Sequence, residues 1–161
     1  MAQIDFKKAT VKIKDGTTPT PNELTVVIGE GNLTYTERVN REYTLDRGVI
    51  YGVRDGDEEP MDVSLEFLWE FLTASTGETP TIEDAFKNRG EASAWVTSGD
   101  DPCEPFAVDI EVVYTPDCPG VENETIVLPE FRYEELEHDF DAGSVSVSGK
   151  CNAKEATVSR A

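Results

Sequence analysis

The imidazole and thiol groups, which bind zinc and act as bases and nucleophiles near neutral pH, come from four residues: His138, Cys103, Cys118 and Cys151. The cysteines are odd in number and none sits in a C-x-x-C arrangement. Joined with His138 they would make a Cys3His zinc site, but such sites draw their ligands from tight knuckles. Buried or half-buried free thiols are the plainer reading. A disulfide, within the chain or between copies in an oxidising medium, is the other. His138 lies in EELEHDFD and reads as a solvated histidine at a strand end. There is no G-x-S-x-G elbow and no H-E-x-x-H helix. GEGN lacks the third glycine and the following helix of a phosphate-binding turn.

Carboxylates are so abundant that some pair falls at a glycosidase spacing by chance, so their presence selects no reaction. The run DGDEE, Asp55 to Glu59, lacks the D-x-D-x-D-G spacing and distal Glu of a calcium loop. It reads as a solvated acidic tip, with weak adventitious divalent binding as the alternative. The expectation is therefore a protein with no catalytic residue, no metal site and no cofactor. Its function must come from shape, charge and assembly.

The elements that would carry such a function are strands. From Asp62 to Phe71 the residues Val63, Leu65, Phe67, Trp69 and Phe71 share one face, while Asp62, Ser64, Glu66, Leu68 and Glu70 share the other. Val11 and Ile13 alternate with lysines in VKIKDG, and Leu24, Val26 and Ile28 mark a second strand. Leu33, Tyr35 and Val39 mark a third, so that this region reads as a meander with a bend at Gly29 and Gly31. Phe106, Val108, Ile110, Val112 and Tyr114 form one face of a later strand, with Asp109 and Glu111 opposite. ETIVLPEFRYEEL reads as a strand interrupted by Pro129, and Val145, Val147 and Cys151 mark the last one. TIEDAFKNRG predicts a short helix over 81–90, capped by Thr81, ended by Gly90 and apolar at Ile82, Ala85 and Phe86. The fold class is mainly β: an antiparallel β-sandwich or open barrel with one flanking helix.

With 161 residues, one domain spanning 1–161 is expected, enough to bury roughly 70% of the unfolded surface. The 33 Asp and Glu against 14 Lys and Arg give a formal charge of −19, which should repel nucleic acid and anionic lipid. A hydrophobic content of 38% with alternating segments argues for a folded body over a disordered acidic chain. No run approaches a membrane span, and MAQIDFKK lacks the apolar core of a signal peptide, so synthesis in a cytoplasm is expected. Between 38 and 60 the apolar period weakens, arginines and acids alternate, and Gly48, Gly52 and Gly56 interrupt. This reads as a long loop or protruding hairpin that touches a neighbour. The first fourteen residues hold Lys7, Lys8, Lys12 and Lys14 against Asp5, whereas Glu130 to Asp141 holds six acids against Arg132. Such polarity suits head-to-tail stacking into rings or filaments.

VKIKDG, NELTVVIGEGNLTYTE, LDRGVIYGVRDGDEEP leading into DVSLEFLWEF, and SVSVSGKCNAKEA together resemble the major tail tube proteins of long-tailed, double-stranded DNA bacteriophages. The resemblance implies a β-sandwich assembled as hexameric rings that stack into a tube, its inner wall a continuous β-barrel. It implies a place in the virion tail after assembly in the host bacterial cytoplasm. The implied partners are further copies of the chain, a tape measure protein, and tail terminator and baseplate proteins. DNA passes through without specific binding, and this chain binds no membrane. By position, the 38–60 excursion looks like the inter-subunit loop, with Arg38, Arg41, Arg47, Arg54, Asp55, Asp57, Glu58 and Glu59 as inter-ring contacts. The N-terminal arm, 1–10, would add Lys7 and Lys8, and the end near Lys154 to Arg160 looks similar. The lumen-facing candidates are Thr34, Thr36, Asp62, Ser64 and Glu66, with Arg38 beside them. Six copies at −19 each carry −114, and within roughly one Debye length (~8 Å) such a wall repels a phosphate backbone. An acidic adhesion or carbohydrate-binding sandwich on a virion or cell surface is the second reading, and a carboxylate hydrolase the third.

Overall fold

Strict alternation over Met61–Leu68 (β6) buries Met61, Val63, Leu65 and Phe67 and turns Asp62, Ser64, Glu66 and Leu68 outward, as a period of two requires. In the computed structural model, which describes residues 4–29, 31–69 and 80–160, β6 lies within an eight-stranded antiparallel sheet. Its other strands are Ala9–Lys14 (β1), Glu23–Val26 (β2), Leu33–Thr36 (β3), Val108–Tyr114 (β7), Glu124–Asp139 (β8), Ser144–Cys151 (β9) and Thr157–Arg160 (β10). Arg41–Asp46 (β4) and Val49–Asp55 (β5) pair only with each other as strands. The strand order is β2-β1-β7-β8-β9-β6-β3, with β10 also on β8.

The long strand β8 joins two layers. Its first half, Glu124–Phe131, pairs with β7 and β10, and its second half, Phe131–Asp139, pairs with β9. Phe131 stands opposite both Val108 and Cys151, so the sheet folds over on itself there. Val11, Ile13, Ile110 and Leu128 from one layer meet Met61, Val63, Leu65, Val145 and Val147 from the other in one buried cluster. The result is the expected antiparallel β-sandwich. The helix Ile82–Lys87 (α1) adds Ala85 and Phe86 to this core, and the Phe86 ring meets Phe131 edge-on at 5.5 Å.

Four local expectations are corrected. The first strands do not form a meander: β2 pairs with β1, but β3 crosses to β6. Gly31 permits that crossing, because a Cβ there would lie 2.2 Å from the Glu66 carbonyl oxygen. The end of β6 also meets the chain just past β2, with the Leu68 amide donating to the Val27 carbonyl at 2.8 Å. Pro129 does not interrupt β8. A bulge forms beside it, with Glu130 at φ 49° donating its amide to Asp109 Oδ1 at 3.0 Å instead of to the ladder. Helix α1 ends at Asn88, which takes the left-handed conformation, and Gly90 instead opens a 3-10 turn. Trp69 lies beyond the end of β6 and is 36% exposed, while Phe71 falls outside the described residues.

Candidate functional site: an amphipathic hairpin

The hairpin β4–β5 stands as a two-stranded sheet of its own. Arg47 and Gly48 both have positive φ, at 53° and 82°, which matches the right-handed twist of flanking strands joined by a two-residue turn. Its register pairs Tyr43 with Val53 and Leu45 with Ile50, so these four share one face, and Tyr51 occupies a bulge beside them. Glu42, Thr44 and Arg54 lie on the other face. The apolar face is uncovered: Leu45, Ile50 and Tyr51 are 60%, 69% and 79% exposed. Isolated two-stranded hairpins are marginal in water, and an exposed contiguous apolar face marks an interaction surface.

The base of the hairpin is tied to the body by polar contacts. The Gly56 amide donates to the Asn40 carbonyl at 2.7 Å, and Arg41 pairs with Asp55. Arg38 pairs with Asp62, Lys154 with Glu58 at 3.5 Å, and Glu37 accepts the Ala156 amide at 3.0 Å. Arg54 meets Glu42 across the hairpin at 2.6 Å. Three of the four arginines expected to reach neighbours thus have partners in their own chain. Arg47, 95% exposed at the tip, has among the described residues only the adjacent Asp46, at 4.0 Å. Asp57 and Glu59 are exposed near the hairpin base, in the segment between β5 and β6.

The same saturation extends over the chain. Every lysine and arginine except Lys7 lies within 4.0 Å of a carboxylate among the described residues. Lys8 reaches Asp117, and Lys12 and Lys14 reach Glu23 and Glu111. The basic start of the chain is therefore largely neutralised at home, which leaves few cations to meet an acidic edge on another copy. Surface pairs of this kind contribute little to stability, but they leave the excess carboxylates unmatched.

Thr34, Thr36, Asp62, Ser64 and Glu66 do share one outward face. Thr34 stands opposite Ser64 and Thr36 opposite Asp62, and β9 continues the face with Ser146 and Ser148 opposite Glu66 and Ser64. On the next strand Glu135 and Glu137 lie opposite Ser148 and Ser146. This four-strand surface is small-residue polar and acidic over most of its extent, with Lys150 opposite Asp62, and Arg132 opposite Lys150, at one end.

His138 is not a solvated strand-end residue. Its Nε2 lies 3.0 Å from Glu83 Oε2, and its ring packs against Trp69 at 4.8 Å. Burial raises the Glu83 carboxyl, but Lys87 at 2.6 Å and His138 outweigh it and bring the pKa down to about 2. The group clamps α1 onto the end of β8. Cys151 is buried, and burial pushes its thiol up to about 12, so it is inert at neutral pH. Cys103 and Cys118 are exposed instead of buried, because both lie in surface turns, and all three cysteines are free. Among the described residues no cluster of three His, Cys, Asp or Glu side chains is placed to hold a metal ion. No described helix is long and apolar enough to cross a membrane.

One buried polar centre was not foreseen. Asp15, 4% exposed, accepts from the Asn22 amide at 2.7 Å, Asn22 Nδ2 at 2.8 Å, Thr17 Oγ1 at 2.7 Å and the Val96 amide at 3.2 Å. Burial pushes its carboxyl up, and the hydrogen bonds from Asn22, Thr17 and Val96 outweigh that and leave it below the usual carboxylate value. It stitches the β1–β2 connection to the segment before β7.

No protein-family model matches this chain, and no curated protein does. Among solved structures, a chain of an extracellular contractile injection system, the PVC sheath/tube terminator in its extended state, is similar with a TM-score of 0.57. The likeness is at 11% identity over 99% of this chain and 98% of that one. It establishes a shared fold along nearly the whole length of both. A chain of the anti-feeding prophage baseplate is similar at 12% identity over 94% of this chain and 92% of that one, with a TM-score of 0.47.

Proposed function

We propose that this chain is a structural subunit of a tail-like tube, polymerising as stacked rings around an acidic channel. The observation that carries the reading is the hairpin: an apolar sheet face projected into solvent by a chain of net charge −19, with nothing among the described residues to cover it. Burying a Leu, Ile or Val side chain contributes roughly 1.5–3 kcal/mol, so a few of these residues supply enough to associate copies that repel one another. The full-length fold likeness to a chain of a contractile injection system supports the same reading. Rings of six and the bacteriophage tail are the finer form of the proposal, drawn from the sequence resemblance.

The lumen is assigned to the Thr34, Thr36, Asp62, Ser64 and Glu66 face, where small hydroxyls and carboxylates predominate and the two cations beside them, Arg38 and Lys150, both lie against Asp62. DNA passing along such a wall is held off, and tape measure, terminator and baseplate proteins are the partners at its axis and ends. Hairpin variants test the proposal. Replacing Leu45 and Ile50 by Ser should abolish large particles in velocity sedimentation while the monomer still folds. Unchanged particle mass in that variant would remove the hairpin from the assembly.

A further inference from the structure

Two apolar surfaces of this chain lack cover among the described residues, and they lie on different elements. One is the hairpin face. The other is a groove of about 260 Å³ between β2, the end of β6 and α1, lined by Leu24, Phe67, Leu68, Trp69, Ile82 and Val145. Leu68 and Trp69 are 42% and 36% exposed there, and no hairpin residue of the same chain lines it. We infer that the hairpin tip of one copy docks in this groove of the next copy, an inference that rests on the self-assembly reading above.

Three observations select that occupant. The groove has room for one or two side chains of the size of Val49, Ile50 or Tyr51, all exposed at the tip. The seven-residue strand β5 extends the tip on the order of 20 Å beyond the hairpin base, far enough to bridge to another subunit. The charges are complementary. Arg47 is the most exposed of the chain's salt-bridged cations, and the groove rim is acidic. That rim is formed by the β8–β9 turn, held by the Trp69 amide donating to the Gly143 carbonyl at 2.8 Å and by Phe140 packing on Trp69 at 4.9 Å. The turn carries Asp139 and Asp141, neither of which pairs with a lysine or arginine among the described residues. Glu83, also in the groove lining, is already occupied by Lys87 and Arg89. Because tip and groove are distinct surfaces and each copy has both, the contact is heterologous and propagates to a ring or a filament.

Disulfide trapping tests the pairing. In a chain carrying Cys103→Ser and Cys118→Ser, Ile50→Cys and Leu68→Cys together should give a ladder of covalent oligomers on a non-reducing gel after mild oxidation of the assembled protein. Either cysteine alone should not. Particles that sediment normally but give no ladder would overturn the groove as receptor and leave self-assembly standing, whereas absence of any particle from the unsubstituted chain would remove both. A second measurement covers a double variant that fails to assemble. Leu68→Glu in the native chain should raise the critical concentration for assembly at least about tenfold with the thermal midpoint of the monomer unmoved, and an unchanged critical concentration would count against the contact.

Discussion

Removing the Asp15 carboxylate would leave the amides of Thr17, Asn22 and Val96 without their acceptor inside the protein. Asp15→Ala is therefore expected to cost about 2–4 kcal/mol in urea unfolding, and a loss below 1 kcal/mol would show the site to be wetter than its burial implies. Glu83 gives the pH dependence. Its folded pKa of about 2 lies below the ordinary value of 4.5, so its contribution is full above 4.5 and is lost as the pH falls toward 2. Glu83→Gln should remove up to about 3 kcal/mol at neutral pH and flatten the stability curve between those limits relative to wild type. Neither residue was legible in the sequence as a centre of interactions. Asp15 follows a lysine in an ordinary turn string, and its partners include Val96, remote in the chain. His138 looked solvated because its neighbours in sequence are acids, and the helix that covers it comes from elsewhere.

At the scale of elements, period and capping carried more. The face of β6, the stripe of α1 and the Thr81 cap could all be read from residue order, because each depends on neighbours within a few positions. Thr81 Oγ1 accepts the Asp84 amide at 3.1 Å, and Thr81→Ala is expected to lower stability by about 1 kcal/mol, measurable by thermal unfolding. The hairpin was located, but its apolar face was passed over. The arginines drew attention to charge, while Tyr43 and Leu45, then Val49, Tyr51 and Val53, alternate on either side of Arg47-Gly48 and announce two strands with a two-residue turn. The bulge at Tyr51 shifts the register, so the shared face of Leu45 and Ile50 could not be obtained from alternation alone. The partner of β3 was equally hidden, since pairing with β6 is a non-local choice and Gly31 signals only that the chain bends.

For the whole molecule, net charge and topology act against each other. A chain of −19 whose cations are almost all paired internally resists association by charge, so contact must come from apolar surface and be helped by screening. Assembly should accelerate as salt rises from about 0.01 to 0.15 M, over which the Debye length falls from about 30 to 8 Å. A rate independent of salt, followed by light scattering, would contradict this electrostatic account. If the Glu66 face lines the proposed channel, assembled wild type should leave DNA unretarded in a gel, whereas Glu66→Lys assemblies should retain it; equal mobility would place Glu66 away from the channel. The sandwich class was legible because alternating strands need a second layer, but the folding of one sheet about Phe131 was not, since it depends on a bulge beside Pro129. Negative-stain microscopy of the purified chain at high concentration and about 0.15 M salt tests self-assembly most directly. The account predicts stacked rings with a central hole, and a field of monodisperse monomers, or of solid particles without a bore, would contradict it.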